Sequence, residues 1–200
     1  MDYETLPKGW LKREDAEFLI ELAKWTSRLE EFSVEIGSWY GRSSVVIGEE
    51  VQKYGGQLFC IDTWNQKEWK ETAKSLSKKR RRFQWEKAPD DAHSIFLRNI
   101  EKYGLTQTVH PIIGRSSDIR KKWDTQIQFV FVDGCHYYEF VKDDALWKEF
   151  LVEGGIIAFH DYGGNGWPGV KQAVDEEMDP DDRFVFLKQV RNLRAFKRIK

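Results

Sequence analysis

Apolar and polar positions alternate along this chain with two periods, and the switches between them outline the elements. Residues 13–25 place Ala16, Leu19, Ile20 and Ala23 at helical spacing, with Glu14, Glu17, Glu21 and Lys24 on other faces, so an amphipathic helix packed on the rest of the chain is predicted. Nothing in its sequence assigns that helix a catalytic role. Phe32 to Ile36 reads as a strand. The helix after Gly41 carries Val45, Val46, Ile47 and Val51 and stops at Gly55–Gly56, and Leu58 to Asp62 is a second apolar strand. Such a strand–helix–strand unit fits a right-handed crossover between parallel strands.

The rhythm then repeats. Ala92 to Tyr103 predicts a helix with Ile95, Phe96, Asn99 and Ile100 near one face, followed by a strand from Thr108 to Ile113. Ile127 to Val132 is nearly all apolar, the pattern of a strand buried on both sheet faces. A helix over Tyr138 to Leu151, a strand over Gly155 to Phe159 and a helix beginning near Pro168 follow, the last preceded by a glycine-rich loop from Gly163 to Gly169. Arg183 to Lys188 and Leu193 to Ile199 are alternating strands around a tight connection, an antiparallel hairpin. Seven strands interleaved with helices predict an α/β fold.

Composition narrows the reading. With 200 residues, 40% of them hydrophobic, one domain spanning residues 1–200 with a substantial core is expected. The net charge of −1 argues against a polyanion-binding or membrane-surface protein. Asp2 and Glu4 occupy the N-terminus without an apolar leader, and no stretch approaches a membrane span, so a soluble, cytoplasmic protein is expected. Cys60 and Cys135 fall at predicted strand ends rather than in a spaced framework, which suits reduced thiols, with Cys135 as structural filler. Residues 63–90 scatter Trp64, Trp69, Phe83 and Trp85 among Lys and Arg, densest at Lys78–Arg82. They suit a solvated helix and loop, or a lid over a site. Single-stranded nucleic acid is a minor alternative, given the overall neutrality and the shortness of the basic run.

Candidate chemistry gathers at the strand ends. The run Val34-Glu-Ile-Gly-Ser-Trp-Tyr-Gly-Arg-Ser-Ser44 ends a strand in a turn where Gly37 and Gly41 allow close backbone approach, and Ser43 sits at a helix start. Its E-x-G-x-x-x-G-x-S spacing departs from G-x-G-x-x-G and disfavours a dinucleotide. Asp62 ends the second strand, 27 residues after Glu35, where a carboxylate can accept ribose hydroxyls. Glycine turn and acidic tip together indicate a nucleoside-containing cofactor. Ligands of open α/β sheets sit beyond the strands' carboxyl ends, so Gly37, Asp62, Ser116, Asp133 and Asp161 should converge.

These residues resemble the class I methyltransferases that use S-adenosylmethionine, and the glycine turn looks like that of catechol O-methyltransferase. Phe131-Val-Asp-Gly-Cys-His-Tyr-Tyr138 and Gly154-Gly-Ile-Ile-Ala-Phe-His-Asp-Tyr162 are similar to the small O-methyltransferases typified by macrocin and other antibiotic-sugar enzymes. The resemblance extends from about Glu31 to Lys200. It implies a three-layer α/β/α, Rossmann-like class I fold whose seven-stranded, mostly parallel sheet ends in an antiparallel hairpin. It also implies S-adenosylmethionine held by Glu35, Gly37, Ser38, Gly41, Ser43 and Asp62, with Ser116 and Ser117 near the adenine. Helix capping is a competing use for the two serines.

The same resemblance implies that Asp133, His160 and Asp161 could hold one Mg²⁺, with Asp133 and His136 catalytic. Where catechol O-methyltransferase has Asp-Asn and the sugar enzymes commonly Asp-Asp, this chain has His160-Asp161, so the imidazole either ligates a metal or only hydrogen-bonds a carboxylate. His136 stands where a lysine base is found in catechol O-methyltransferase, and its natural pKa suits proton abstraction. Cys135 replaces the second Asp of the sugar enzymes' Asp-Gly-Asp-His. His93 and His110 lack comparable neighbours. The expected activity is O-methylation of a hydroxyl on a small polar metabolite, a sugar or phenol. The alternatives are a cephalosporin-hydroxylase-like relative and a degenerate fold acting as a binding module. The expected partner is a small-molecule substrate, not a membrane, and a homo-oligomer is allowed.

Overall fold

The computed structural model describes residues 2–65, 91–163 and 166–200. Residues 66–90 of the expected lid, with the Lys78–Arg82 run, therefore lie outside the described residues. In chain order the elements are α1 (Arg13–Thr26), β1 (Phe32–Ile36), α2 (Arg42–Gln52), β2 (Leu58–Asp62), α3 (Ala92–Lys102), β3 (Val109–Ile113), α4 (Ser116–Arg120), β4 (Ile127–Val132), α5 (Tyr138–Ala145), β5 (Leu151–Phe159), α6 (Pro168–Met178), β6 (Phe184–Val190) and β7 (Leu193–Arg198). Among the described residues no helix is long and apolar enough to cross a membrane.

The strands form one seven-stranded sheet in the order β3-β2-β1-β4-β5-β7-β6. The first five run parallel, and β7 joins β5 antiparallel, with β6 on the outer edge. This is the mostly parallel seven-stranded sheet closed by an antiparallel hairpin that the family resemblance implied. β3 is the opposite edge, where Pro111 can sit without costing the sheet an interior hydrogen bond.

Strand alternation sorts the core into two layers. Leu58, Cys60, Phe129, Phe131, Ile156 and Ala158 face α1, α2 and α3, while Val34, Ile36, Val130, Val132, Ile157 and Phe159 face α5 and α6. Every residue of β4 is buried, which explains its unbroken apolar run. Full burial of Phe129, Phe131 and Phe159 contributes roughly 2–3 kcal/mol per side chain. Gln128 is the polar exception in β4. Its side chain accepts from the Glu31 N–H at 3.1 Å and donates to the Ser33 hydroxyl at 3.3 Å, so its burial leaves both amide atoms partnered.

Two boundaries differ most from the expectation. The helix expected to reach Leu151 ends at Ala145 and tightens into a 3₁₀ turn over Leu146–Phe150. β5 then starts at Leu151 rather than Gly155. The Gly154–Gly155 pair reads as a strand boundary because glycine is a breaker, yet here it accommodates an irregularity inside the strand: the register passes from Ile127 opposite Leu151 to Phe129 opposite Ile156, with Gly154 at φ +85°.

The β1–α2 turn is built against the end of β4. The Gly37 N–H donates to the Ile61 carbonyl at 2.9 Å and the Asp133 N–H donates to the Ile36 carbonyl at 2.8 Å. Gly37 has φ +88°, and a Cβ there would lie 2.4 Å from the Asp133 carbonyl oxygen and 2.5 Å from Gly134 Cα. Backbone cannot yield as a flexible side chain can. Gly37→Ala should therefore destabilise the protein by at least about 2 kcal/mol in urea unfolding. Gly55→Ala, at φ +70° with nothing within 4 Å of the added carbon, should cost only about 1 kcal/mol.

Candidate functional site

Glu35 lies beneath the β1–α2 turn and is completely buried. Its Oε2 accepts hydrogen bonds from the Ser38 hydroxyl at 2.7 Å, from the Cys60 thiol at 3.3 Å and from the Ser44 hydroxyl. Burial pushes the Glu35 pKa up, against the opposing hydrogen bonds of Ser43, Ser44, Ser38 and Cys60. The structure thus brings Glu35, Ser38 and Ser43 together as a polar cluster under the turn. Gly41 begins α2 at φ +85° with Phe96 packed against it. Ser44 and Cys60 complete the cluster and were missed from sequence. The signal for Ser44 was available: it stands beside Ser43 at the start of a helix whose next three residues are all buried.

Gly37, Asp62, Ser116 and Ser117 instead line one open cavity beyond the strand ends, together with Ile36, Ile61, Thr63, Gly114, Arg115, Gly134, Cys135, Phe140, Asp143 and Asp144. Asp62 is held by backbone: Oδ2 accepts from the Trp39 N–H at 2.9 Å and Oδ1 from the Trp64 N–H at 2.8 Å. Both tryptophans have positive φ, at 42° and 43°, which marks the two loops as shaped around this carboxylate. Burial raises the Asp62 pKa, and these amides oppose the rise. Each oxygen keeps further acceptor capacity for a ligand hydroxyl.

Ser116 and Ser117 begin the short helix α4, and the Ser116 hydroxyl donates to Asp144 of α5. Burial, with Asp143 nearby, pushes Asp144 up to about 7, against the Ser116 hydroxyl and the Arg120 guanidinium. Asp144 had no sequence signal, since it lies within a charged helical stretch. Cys135 faces the same cavity, and burial pushes its thiol up to about 11, so it is not a thiolate at neutral pH.

The second group forms where β4 and β5 end side by side. Asp133 and His160 follow the paired residues Val132 and Phe159, and the His160 N–H donates to the Val132 carbonyl. His160 Nδ1 lies 3.0 Å from Asp133 Oδ1 and 3.6 Å from Asp161 Oδ2. His136 Nε2 lies 2.7 Å from Asp161 Oδ2 and 3.8 Å from Asp133 Oδ1. The 2.7 Å contact is electrostatic rather than an aligned hydrogen bond, because the buried Nε2 atom has no hydrogen-bond partner. The ring of Trp167 stacks on His136 at 4.7 Å, with Tyr137 edge-on to Trp167. Asp161 adopts φ +57°, a conformation a non-glycine residue holds at a cost. His110 and His93 stand apart from this group, against Gln57 and Trp64.

Electrostatics bind the group into one unit. Burial works against charge on every member, but His160 and His136 outweigh it for Asp133, and the same two imidazoles hold Asp161 far below the usual carboxylate range. Burial would lower the His136 pKa, yet the Asp133 and Asp161 carboxylates beside the ring raise it to about 9. Asp133, Asp15 and Asp161 likewise raise His160 well above its ordinary value despite burial. The carboxylates therefore favour the imidazolium form of both rings when no other cation is present.

The donor set also fits a divalent ion. Asp133, His160 and Asp161 each offer one ligand atom, all within 4.8 Å of one another. Two carboxylate oxygens and one imidazole nitrogen suit an ion that accepts mixed ligands, such as Mn²⁺, as well as the harder Mg²⁺.

A parallel sheet closed by an antiparallel hairpin, with a glycine turn after β1, an acid at the tip of β2 and polar groups converging at the ends of β4 and β5, defines the Rossmann-like methyltransferase class. The chain belongs to the methyltransferase domain family, whose model matches residues 34–162. Solved structures share the architecture at low identity. The O-methyltransferase NovP superposes with a TM-score of 0.73 at 16% identity, covering 94% of this chain and 80% of its own. The calicheamicin methyltransferase CalS11 gives 0.68 at 15% identity, covering 94% and 80%. The O-methyltransferase TomG from Streptomyces achromogenes, solved with S-adenosylmethionine, gives 0.68 at 15%, covering 98% and 84%.

A pH dependence follows from the raised histidines. A group whose folded pKa exceeds its unfolded value stabilises fully below the unfolded value, and that contribution is lost as pH rises through the folded one. For His136 the window runs from about 6.5 to about 9. Urea unfolding of chelator-treated protein should show stability falling across this window, and His136→Gln should flatten the fall by an amount on the order of 1–3 kcal/mol.

Proposed function

We propose that this protein transfers the methyl group of S-adenosylmethionine to a hydroxyl oxygen of a small polar molecule, a sugar or phenol, with a divalent cation assisting. The observation that carries the reading is the juxtaposition of two features around one set of strand ends: a cavity bounded by Gly37, Asp62 and Ser116, and the adjoining group of Asp133, His136, His160 and Asp161. Gly134 and Cys135, the residues directly after Asp133, line that cavity and join the two.

In this reading Asp62 accepts the ribose hydroxyls, Gly37 lets the cofactor's backbone-facing side approach the turn, and Ser116 and Ser117 lie beside the adenine. Glu35, Ser38, Gly41 and Ser43 act from beneath, by fixing the turn's shape. Methyl transfer from a sulfonium requires the attacking oxygen in line with the methyl group and relieved of its proton. Asp133, His160 and Asp161 would hold a divalent cation, which would supply Lewis acidity to the substrate oxygen and offset the carboxylate charge that favours a protonated His136. His136 Nε2 receives the hydroxyl proton. Asp161, 2.7 Å away, and Asp133 stabilise the imidazolium so formed. Trp167 stacks against the ring and limits its rotation.

Two relatives support the cofactor and the acceptor class. TomG was solved with S-adenosylmethionine, and CalS11 is described as a TDP-rhamnose 3′-O-methyltransferase, an enzyme acting on a sugar hydroxyl.

Calorimetry with S-adenosylhomocysteine should show binding that Asp62→Ala weakens at least tenfold, through loss of a charge-assisted acceptor worth about 1.5–3 kcal/mol. Asp161→Ala should leave that affinity within about threefold while abolishing metal-stimulated turnover. Absence of binding to the wild-type protein at millimolar ligand would sink the methyl-donor assignment.

A further inference from the structure

Asp15 belongs to the inward stripe of α1. Asp15, Phe18, Leu19, Leu22 and Thr26 follow the i, i+3/i+4, i+7, i+11 spacing, and all five are buried. A carboxylate in an apolar stripe is costly unless something compensates it. The Asp15 side chain is only 3% exposed, and its Oδ1 has no hydrogen-bond partner. Its Oδ2 lies 3.8 Å from His160 Nε2 and 3.5 Å from Arg191 Nε, on the β6–β7 turn.

His160 is thereby flanked on both ring nitrogens. Nδ1 faces Asp133 and Asp161, and Nε2 faces the buried Asp15. An imidazole can ligate a cation only through a nitrogen that carries no proton, and its remaining proton is placed by what the other nitrogen meets. Without a cation the Nδ1 side also holds a proton, hydrogen-bonded to Asp133 at 3.0 Å. A cation shared by Asp133 and Asp161 would displace that proton and offset their charge, and Asp15, 3.8 Å from Nε2, is then the carboxylate that retains the proton on the far side of the ring.

We propose that Asp15 is a positioning residue: it holds His160 in the Nε2–H form, so that Nδ1 is presented to a divalent cation shared with Asp133 and Asp161. The proposal rests on the metal-assisted reading above and adds α1 to the site. It also accounts for a histidine at this position, since the imidazole has a buried carboxylate behind it. Asp15 acts through His160 and touches neither substrate nor cofactor.

The competing role for Asp15 is purely structural, as the anchor of Arg191. Electron paramagnetic resonance of free Mn²⁺ during titration separates the two. Asp15→Asn should weaken Mn²⁺ binding about tenfold, the lower end of what loss of a ligand-orienting partner costs, while S-adenosylhomocysteine affinity stays within about twofold. Arg191→Ala, which removes the other ion pair of Asp15, should leave Mn²⁺ affinity within about twofold. In a His160→Asp background, where no ring needs orienting, Asp15→Asn should change Mn²⁺ affinity less than twofold. Unchanged Mn²⁺ binding in Asp15→Asn, an equal loss in the His160→Asp background, or a tenfold loss in Arg191→Ala would each overturn the positioning role. Wild-type protein that binds S-adenosylhomocysteine but not Mn²⁺ would overturn the metal reading together with it. Wild-type protein that binds Mn²⁺ with the expected Asp15 dependence but no S-adenosylhomocysteine would remove the methyl-donor assignment and uphold the role of Asp15.

Discussion

The structure depends on the absence of one side chain. At Gly37 the β1–α2 turn meets the backbone of Asp133 and Gly134 so closely that a single added carbon would overlap a carbonyl oxygen. That contact joins the turn shaped over Glu35 to the residue that begins the Asp133–His136 segment. The Asp133 N–H also continues the β1–β4 ladder onto the Ile36 carbonyl, so the peptide ending β4 is fixed by both hydrogen bonding and van der Waals contact. A cavity on one side of this junction and a charged group on the other cannot shift independently.

The second organising feature is charge placed where water is scarce. Asp133, Asp161 and Asp15 meet His136 and His160 at the ends of β4 and β5, each imidazole between carboxylates. Each ionised member would be expensive in isolation, and the group persists because its charges offset one another. Asp133, His160 and Asp161 of this group are also the donor set that could hold a divalent ion.

Glu35 shows a different use of a carboxylate. Three donors converge on one of its oxygens, from Ser38 and Ser44 of the turn and helix and from Cys60 of the neighbouring strand, and burial raises its pKa. Its contribution is to hold β1, the turn and β2 in fixed relation, which in turn positions the Trp39 amide that grips Asp62. Asp62 is the converse case. Backbone amides from two loops hold it at the cavity wall.

The sequence by itself determined the elements and most of their ends, because hydrophobic period is a local property. The unbroken apolar run of β4, the alternation of β6 and β7, and the proline opening α6 each report their own surroundings directly. It also placed the candidate site residues at strand ends, since Gly37, Asp62, Asp133, His136, His160 and Asp161 all fall where or just after an apolar run stops. Tertiary structure decided what each of these faces. Only the pairing of β1 with β4 and of β4 with β5 placed Asp133 against Gly37 and His160, contacts that span roughly a hundred residues in the first case and 27 in the second. The polar residues on helices were the hardest to read, because a charged residue in an amphipathic helix looks the same in sequence whether it meets solvent or a buried partner. Asp144 and Asp15 acquired their surroundings from α4 and from the end of β5, neighbours that no local pattern in α5 or α1 specifies. The Gly154–Gly155 pair misled for the same reason: whether glycine ends a strand or lets it bulge depends on the strand beside it.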